Sequence, residues 1–208
     1  ELDGQHFDYV RYHDQGRPYS CDPLSQAAYV QASAGDPTLS YADWQRAQIT
    51  ALLARVRQEA LPLRPNARLT TSAWPIYDKT RYDWFPSTGP DGYNDLYQDS
   101  LGWSREGTVS AIMPMLYTVS VHDYRDRFAQ LSQDFVSGAQ TGGVVIGIEG
   151  NYDTFADPFA EIAWRIEAAR QAGARGQCLF SYRLFDERSY WQALRDGPYR
   201  TPAAPNWP

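Results

Sequence analysis

The amino-acid sequence predicts an α/β fold built on a parallel sheet, and three observations support this expectation. Segments with the pattern of strands alternate with segments with the pattern of helices, about five of each, as in repeated βαβ units. Residues 142–148 are almost continuously apolar, which is typical of a strand buried on both faces of a parallel sheet. The chain of 208 residues is long enough to bury a substantial core. Open doubly wound sheets and closed (β/α)8 barrels both fit this alternation.

The first half of the chain predicts two strands and two helices. Residues 2–12 read as a short strand that ends in a group of polar and aromatic side chains. Ser40 has the sequence context of a helix cap, and apolar residues then follow a helical period until Pro62. We expect a second strand at 68–74 and a short helix over 94–106 that is closed by a glycine.

The second half predicts three more strands separated by helices. A helix over 122–136 is indicated by apolar residues that fall on one face. A further helix begins at Asp157, because a capping aspartate followed by proline is a typical helix start. The expected order is a strand at 110–117, the helix at 122–136, a strand at 142–148, the helix from 157 to 173, a strand at 177–182 and a short helix at 187–195. Residues 1–195 then form one domain, followed by a Pro-rich tail over 196–208.

Composition and motifs exclude several classes of function. The net charge of -6 and the lack of a Lys/Arg cluster argue against nucleic acid or an anionic membrane as a partner. No apolar run approaches the roughly 20 residues of a membrane span. The three histidines lack metal-ligand spacing, and no glycine-rich nucleotide motif follows a strand, so neither a metal nor a cofactor is predicted. Cys21 and Cys178 leave a disulfide open.

Two carboxylates fall at the carboxyl ends of predicted strands. Side chains alternate along a strand, so His6 and Asp8 share one face, and Glu149 falls on the inner face of its strand. In barrels of parallel strands these ends build the active site. A pair of carboxyl groups at this edge is the minimum requirement for glycoside hydrolysis, in which one acts as acid and the other as nucleophile or base. Asp99 is a third candidate from the loop after the second strand. The high aromatic content of 14% fits either a filled core or a carbohydrate cleft.

Four segments of the chain resemble glycosyl hydrolase-like family 10, bacterial TIM-barrel proteins that act on cell-wall or extracellular glycans. These segments are His-Phe-Asp-Tyr-Val-Arg-Tyr at 6–12, Tyr-Gln-Asp at 97–99, Met-Pro-Met-Leu-Tyr at 113–117 and Phe-Ser-Tyr at 180–182. The resemblance implies a (β/α)8 TIM-barrel type of fold in which only about strands 4 to 8 are present. The chain would then be the carboxyl-terminal portion of such a domain. Either the amino-terminal half lies on a longer chain, or a second polypeptide completes the barrel.

The resemblance also implies roles for individual residues. Asp8 matches the strand-end aspartate of the family and is the best candidate for a catalytic carboxylate. Glu149 as the second carboxylate depends on strand geometry alone, and a histidine at position 13 stands where the family commonly has a proline. Residues expected to bind substrate, through sugar hydroxyls or acidic substituents, are Tyr9, Arg11, Tyr12, Trp74, Gln98, Tyr117 and Tyr182.

The expected function is therefore a glycoside hydrolase-like domain that acts on a bacterial cell-wall or extracellular polysaccharide. The alternative is a glycan-binding module without turnover, or an inactive fragment of such an enzyme. The partner is a polysaccharide or oligosaccharide. Members of the family are exported or lipid-anchored, which implies an extracellular, periplasmic or cell-envelope location.

Overall fold

The computed structural model describes residues 3–13, 19–140 and 142–203 of the chain. Five parallel strands form one sheet in the order in which they occur in the sequence, and the sheet curls into a half-barrel flanked by helices. The α/β expectation is confirmed. Leu2, where the expected first strand begins, and residues 204–208 of the tail lie outside the described ranges. The strands are β1 (Gly4–Phe7), β2 (Arg68–Ala73), β3 (Ala111–Pro114), β4 (Gly143–Glu149) and β5 (Gly176–Phe180).

Helices connect the strands and cover the outer face of the sheet. They are α1 (Pro23–Gly35), α2 (Tyr41–Ala60), α3 (Ser100–Arg105), α4 (Val119–His122), α5 (Arg125–Ala139), α6 (Pro158–Gln171), α7 (Tyr182–Glu187) and α8 (Tyr190–Asp196). The two predicted caps are confirmed, because Ser40 accepts a hydrogen bond from the backbone of Asp43 and Asp157 accepts one from Ala160. Among the described helices, none combines the length and the hydropathy that crossing a bilayer requires.

Helix α1 is the longest of the helices that the sequence did not predict. Asp22 caps it and Pro23 occupies its first position, the same arrangement that begins α6. None of its residues is buried, so it lacks the apolar period by which helices are usually recognised. The sequence therefore contains the signal for the start of this helix, but not the apolar stripe that would identify the rest of it.

The expected helix over 94–106 is wrong in its first half. The buried carboxylate of Asp91 accepts hydrogen bonds from the backbone of Lys79 and from the backbone and side chain of Asn94. These bonds fold residues 91–98 into a loop, so α3 begins only at Ser100. These donors satisfy the buried carboxylate, as burial of a polar group requires.

Two further boundaries differ from expectation at the carboxyl edge of the sheet. The helix expected at 122–136 begins only at Arg125, because the chain turns at Asp123 and Tyr124 between α4 and α5. Tyr182, expected in the last strand, instead begins α7. Cys21 and Cys178, whose pairing the sequence left open, are free thiols.

The two faces of β4 follow the predicted alternation. Val144, Ile146 and Ile148 lie in the apolar core with residues of α5 and α6 such as Phe128 and Ile162. Val145, Gly147 and Glu149 lie on the opposite, inner face of the sheet. The chemistry-bearing side chains of the strand ends are therefore on the concave side of the half-barrel.

An ion pair is buried between the helices behind this edge. The side chains of Glu161 and Arg165, one turn apart on α6, are both inaccessible and lie 2.9 Å apart. Arg125 of α5 approaches the other oxygen of Glu161 at 2.8 Å. Arg165 also donates to the backbone carbonyl of His122, which ties α6 to the end of α4.

Substitution of Glu161 by Ala should destabilise the protein by about 3–5 kcal/mol, because Arg165 would stay buried without its counter-charge. The control is Glu167→Ala on the same helix, which removes an exposed partner of Arg170 and should cost less than about 1 kcal/mol. Denaturant unfolding of both variants measures the difference. Equal losses of stability would show that the buried pair has no special role.

Candidate active site at the carboxyl edge of the sheet

The parallel register brings the ends of all five strands to one edge. Asp8 directly follows β1, and Trp74 directly follows β2. Tyr117 comes three residues after β3, Glu149 closes β4, and Phe180 closes β5 opposite Glu149. The sequence-predicted carboxylates Asp8 and Glu149 thus belong to the same edge of the sheet, on strands separated by two others.

Asp8 is held as an ionised carboxylate. Its Oδ1 accepts a hydrogen bond from the hydroxyl of Ser72 on β2 at 2.5 Å and another from the backbone of Tyr9 at 2.8 Å. The Ser72 bond is the main reason that the pKa of Asp8 lies below its ordinary value, and the charges of His6 and Arg11 act in the same direction. A carboxylate with these partners is negatively charged at neutral pH.

One layer deeper, the same two strands carry a second polar pair. The Nδ1 atom of His6 lies 2.9 Å from the hydroxyl of Thr70. Burial lowers the pKa of His6, although the charge of Asp8 opposes this shift. The layer beneath Asp8 is therefore polar and hydrogen-bonded.

A guanidinium group lies beside Asp8, between two aromatic rings. The centre of the Arg11 guanidinium is 4.5 Å from the ring of Tyr9 and 4.8 Å from that of Trp74. Trp74 is fixed by a hydrogen bond from its indole nitrogen to the carbonyl of Pro90. Stacking of this kind fixes the plane of a guanidinium and leaves donors at its edge. Arg11 can therefore present those donors to an anionic group near Asp8.

Tyr117 lies between the two carboxylates. Burial raises its pKa to about 12, and the charges of Asp8 and Glu149 both contribute. Its ring stacks on that of Phe180, with centroids 5.4 Å apart and an angle of 7° between the planes. Gly147 makes room for this ring, since a Cβ there would lie 3.1 Å from a Tyr117 ring carbon.

Glu149 has surroundings opposite to those of Asp8. It is half-buried, and this burial raises the pKa of its carboxyl group. The Nε2 atom of His122 lies 3.3 Å from its Oε1, and the charge of this histidine partly offsets the effect of burial. Glu149 therefore retains its proton to higher pH than an ordinary glutamate does.

Two other predicted residues are occupied by structural contacts. Gln98 is buried, accepts a hydrogen bond from the backbone of Trp74 at 2.7 Å and donates one to the carbonyl of Val10 at 3.0 Å. Asp99 caps α3 through the backbone of Gly102 and accepts a hydrogen bond from the hydroxyl of Tyr77 at 2.7 Å. Both residues connect the segments that carry the edge.

The remaining predicted residues, Tyr12 and Tyr182, lie at the margins. The Tyr12 hydroxyl is 3.1 Å from that of Ser20. Tyr182 is 72% exposed and packs at one side against Trp191. A groove of about 320 Å³ lies alongside Tyr12 and includes Tyr9, Arg11 and the exposed Leu52 of α2.

Sequence reasoning missed three residues at this edge: Ser72, His122 and Phe180. Ser72 and Phe180 could have been found from strand parity, because Ser72 is adjacent to Asp8 and Phe180 is paired with Glu149. His122 gives no such signal, since it reaches Glu149 from a helix end rather than from a strand.

A further cavity, of about 330 Å³, lies at the amino-terminal edge of the sheet among Val136, Gly142 and Arg175, away from the carboxylates. Within residues 3–13, 19–140 and 142–203, no three histidine, cysteine or acidic side chains come together as a metal site would require.

Comparison with known proteins agrees with the strand-end motifs. The sequence profile of the family described as Glycosyl hydrolase-like 10 matches residues 1–150, which include β1 to β4 and both carboxylates. A search of curated proteins found no match to the chain. The match covers well over half of the sequence, and it coincides with the part of the fold that carries Asp8, Tyr117 and Glu149. The chain belongs to the glycosyl hydrolase-like 10 family.

Proposed function

We propose that this chain is a glycoside hydrolase domain in which Asp8 and Glu149 are the catalytic carboxylates. The observation that supports this most strongly is the contrast between them. Hydrogen bonding lowers the pKa of Asp8, whereas burial raises the pKa of Glu149. Two carboxyl groups whose surroundings move their pKa values apart are suited to the separate roles of acid and base.

In this proposal Glu149 is the general acid and Asp8 the ionised partner. Glu149 gives its proton to the glycosidic oxygen as the bond to the anomeric carbon breaks. Asp8 either attacks that carbon or removes a proton from the water that does so. Asp99 is the weaker alternative, because its carboxylate already caps α3 and accepts the Tyr77 hydroxyl.

The substrate would lie along the concave side of the edge. The stacked rings of Tyr117 and Phe180, the latter 53% exposed, offer a flat apolar surface to a sugar ring. Arg11 would bind an acidic substituent next to Asp8, with Tyr9 and Trp74 beside it. Tyr12 and Tyr182 would contact more distant sugar units, and Gln98 would act by holding the ends of β1 and β2 together.

We further propose a (β/α)8 barrel as the complete fold, with this half-barrel as about strands 4 to 8. Within the described residues, β1 pairs only with β2, and β5 pairs only with β4. Closing such a sheet removes both free edges, and eight strands are the usual number. The other strands would come from elsewhere on the same protein or from a second chain.

A polysaccharide of the bacterial cell wall or extracellular matrix is the proposed substrate, which fits an extracellular, periplasmic or cell-envelope location. Membership of a glycosyl hydrolase-like family supports a glycan as the ligand. The sequence is acidic and lacks a cluster of Lys and Arg residues, so the negative charge of such glycans would be met locally, by Arg11.

Substitution of Asp8 by Asn or of Glu149 by Gln should lower glycan hydrolysis by about 10²–10⁴-fold, the usual contribution of general acid–base catalysis. Release of reducing ends from peptide-free peptidoglycan strands and other bacterial polysaccharides measures the activity. Asp99→Asn serves as the control and should affect stability more than turnover. Tight binding without turnover by the unsubstituted protein, with its barrel complete, would refute the hydrolase and indicate a binding module.

Substitution of Ser72 by Ala should raise the pKa of Asp8, because it removes the hydrogen bond that lowers it most. In the unsubstituted protein the ionised Asp8 contributes stability above its unfolded pKa of about 3.9, and this is lost as pH falls through its folded pKa. In the variant both that stability and the acid limb of activity should be lost at a higher pH. Carboxyl 13C NMR measures the titration, and Thr70→Val, which contacts His6 instead, is the control. An unchanged pKa for Asp8 in Ser72→Ala would show that the Ser72 hydrogen bond is not what lowers it.

Substitution of Phe180 by Ala should raise KM by about 3–10-fold with little change in kcat, since a lost aromatic contact is worth about 0.5–1.5 kcal/mol. Phe180→Tyr keeps a flat ring and should bind substrate as well as the unsubstituted protein. Steady-state kinetics on the same glycan separates the two constants. A large fall in kcat with KM unchanged would show that Phe180 does not act as a binding surface for the sugar ring.

A further inference from the structure

The ring of His122 is surrounded by oxygen atoms that accept hydrogen bonds. Its Nδ1 lies 2.8 Å from the carboxylate of Asp123. Its Nε2 lies 2.7 Å from the backbone carbonyl of Asn151 and 3.3 Å from Oε1 of Glu149. A carbonyl oxygen cannot donate, so Nε2 must carry a hydrogen to make this contact.

The second nitrogen must carry a hydrogen as well. Asp123 also accepts the hydroxyl of Thr154 at 2.8 Å, and the bonds from His122 and Thr154 lower the pKa of its carboxyl group. An ionised carboxylate is an acceptor only, so Nδ1 is the donor in its contact with Asp123. With hydrogens on both nitrogens, His122 is an imidazolium.

Contacts with a ring and with the core fix the position of His122. Its ring stacks on that of Tyr152, with centroids 4.8 Å apart. Its backbone carbonyl accepts a hydrogen bond from Arg165, which is itself paired with Glu161 inside the core. The charged groups around it are therefore Asp123 at the end of α4, Glu149 at the end of β4 and Arg165 on α6.

We propose that His122 is a positioning residue for Glu149, whose imidazolium orients the Glu149 carboxyl group and sets the pH at which that group loses its proton. The catalytic importance of this rests on the proposed function, but the pairing itself does not. His122 lies 3.3 Å from Glu149 and is anchored by groups that take no part in the chemistry, so its positive charge attracts Oε1 of Glu149 from a fixed position.

The direction of the electrostatic effect follows from the charges. Burial alone would lower the pKa of His122, but the contacts with Asn151 and Asp123 raise it. The imidazolium in turn lowers the pKa of Glu149, against the effect of burial. When His122 is removed, Glu149 should keep its proton to a higher pH and lose the contact that orients it.

NMR titration of the histidine rings tests the pairing without any substrate. The His122 midpoint should lie above about 6.5, the ordinary value for histidine, with both ring nitrogens protonated below it. His6, whose pKa burial lowers, is an internal reference in the same spectrum. Asp123→Asn and Glu149→Gln should each lower the His122 midpoint. Asp126→Asn, an exposed aspartate in the first turn of α5, should leave it unchanged. A neutral His122 ring, or a His122 midpoint that neither substitution changes, would overturn the proposal.

Kinetics of His122→Gln then tests its role in the reaction. We expect kcat to fall about tenfold with KM nearly unchanged, and the basic limb of the pH profile to move to higher pH. Loss of structure alone would lower activity without moving that limb, and this result would refute the positioning role. If no glycan is hydrolysed by any variant or by the unsubstituted protein, the proposed function fails, while the titration still decides whether His122 and Glu149 are paired.

Discussion

The parallel register of the five strands is the constraint on which the rest of the structure depends. Since every strand runs the same way, each delivers its last side chain to the same edge, and each connection must return across the outer face. Asp8 and Glu149 are more than a hundred residues apart in the sequence, yet both belong to this edge. A shift of β4 by one residue would turn Glu149 into the core and remove Ile148 from it. The packing of the strand against the helices therefore fixes its register.

Hydrogen bonds behind the edge convert this placement into fixed geometry. On one side the buried Asp91 folds the loop after β2, and Pro90 and Gln98, at the two ends of that loop, hold Trp74. On the other side the Glu161–Arg165 pair holds the backbone of His122. In both places a buried ionisable side chain organises main-chain groups next to the edge. Such side chains are tolerated in the interior when they are hydrogen-bonded, as Asp91 is, or paired, as Glu161 and Arg165 are.

The sequence predicts the elements whose signals are local. Alternation along 143–149 and the cap at Asp157 depend on neighbouring residues, and both agree with the structure. Boundaries set by distant contacts were not predictable in the same way. The loop at 91–98 depends on the hydrogen bond from the backbone of Lys79 to Asp91, and the break at His122 depends on Asn151 and Arg165. For the same reason Asp8 and Glu149 could be proposed from strand ends, whereas His122 required the folded chain.

The different protonation of the two carboxyl groups can be traced to their positions in the curled sheet. Asp8 follows an edge strand, is exposed, and has a hydroxyl group on the next strand as its donor. Glu149 is on a strand with neighbours on both sides, where burial outweighs the nearby imidazolium. Each carboxyl group also has its own cation, Arg11 or His122. If further strands covered β1, Asp8 would lose water and its pKa would rise, unless Ser72 and Arg11 kept their contacts. The donors of Asp8 would then matter more than they do in the open half-barrel, because hydrogen bonds and opposite charges are what keep a buried carboxylate ionised.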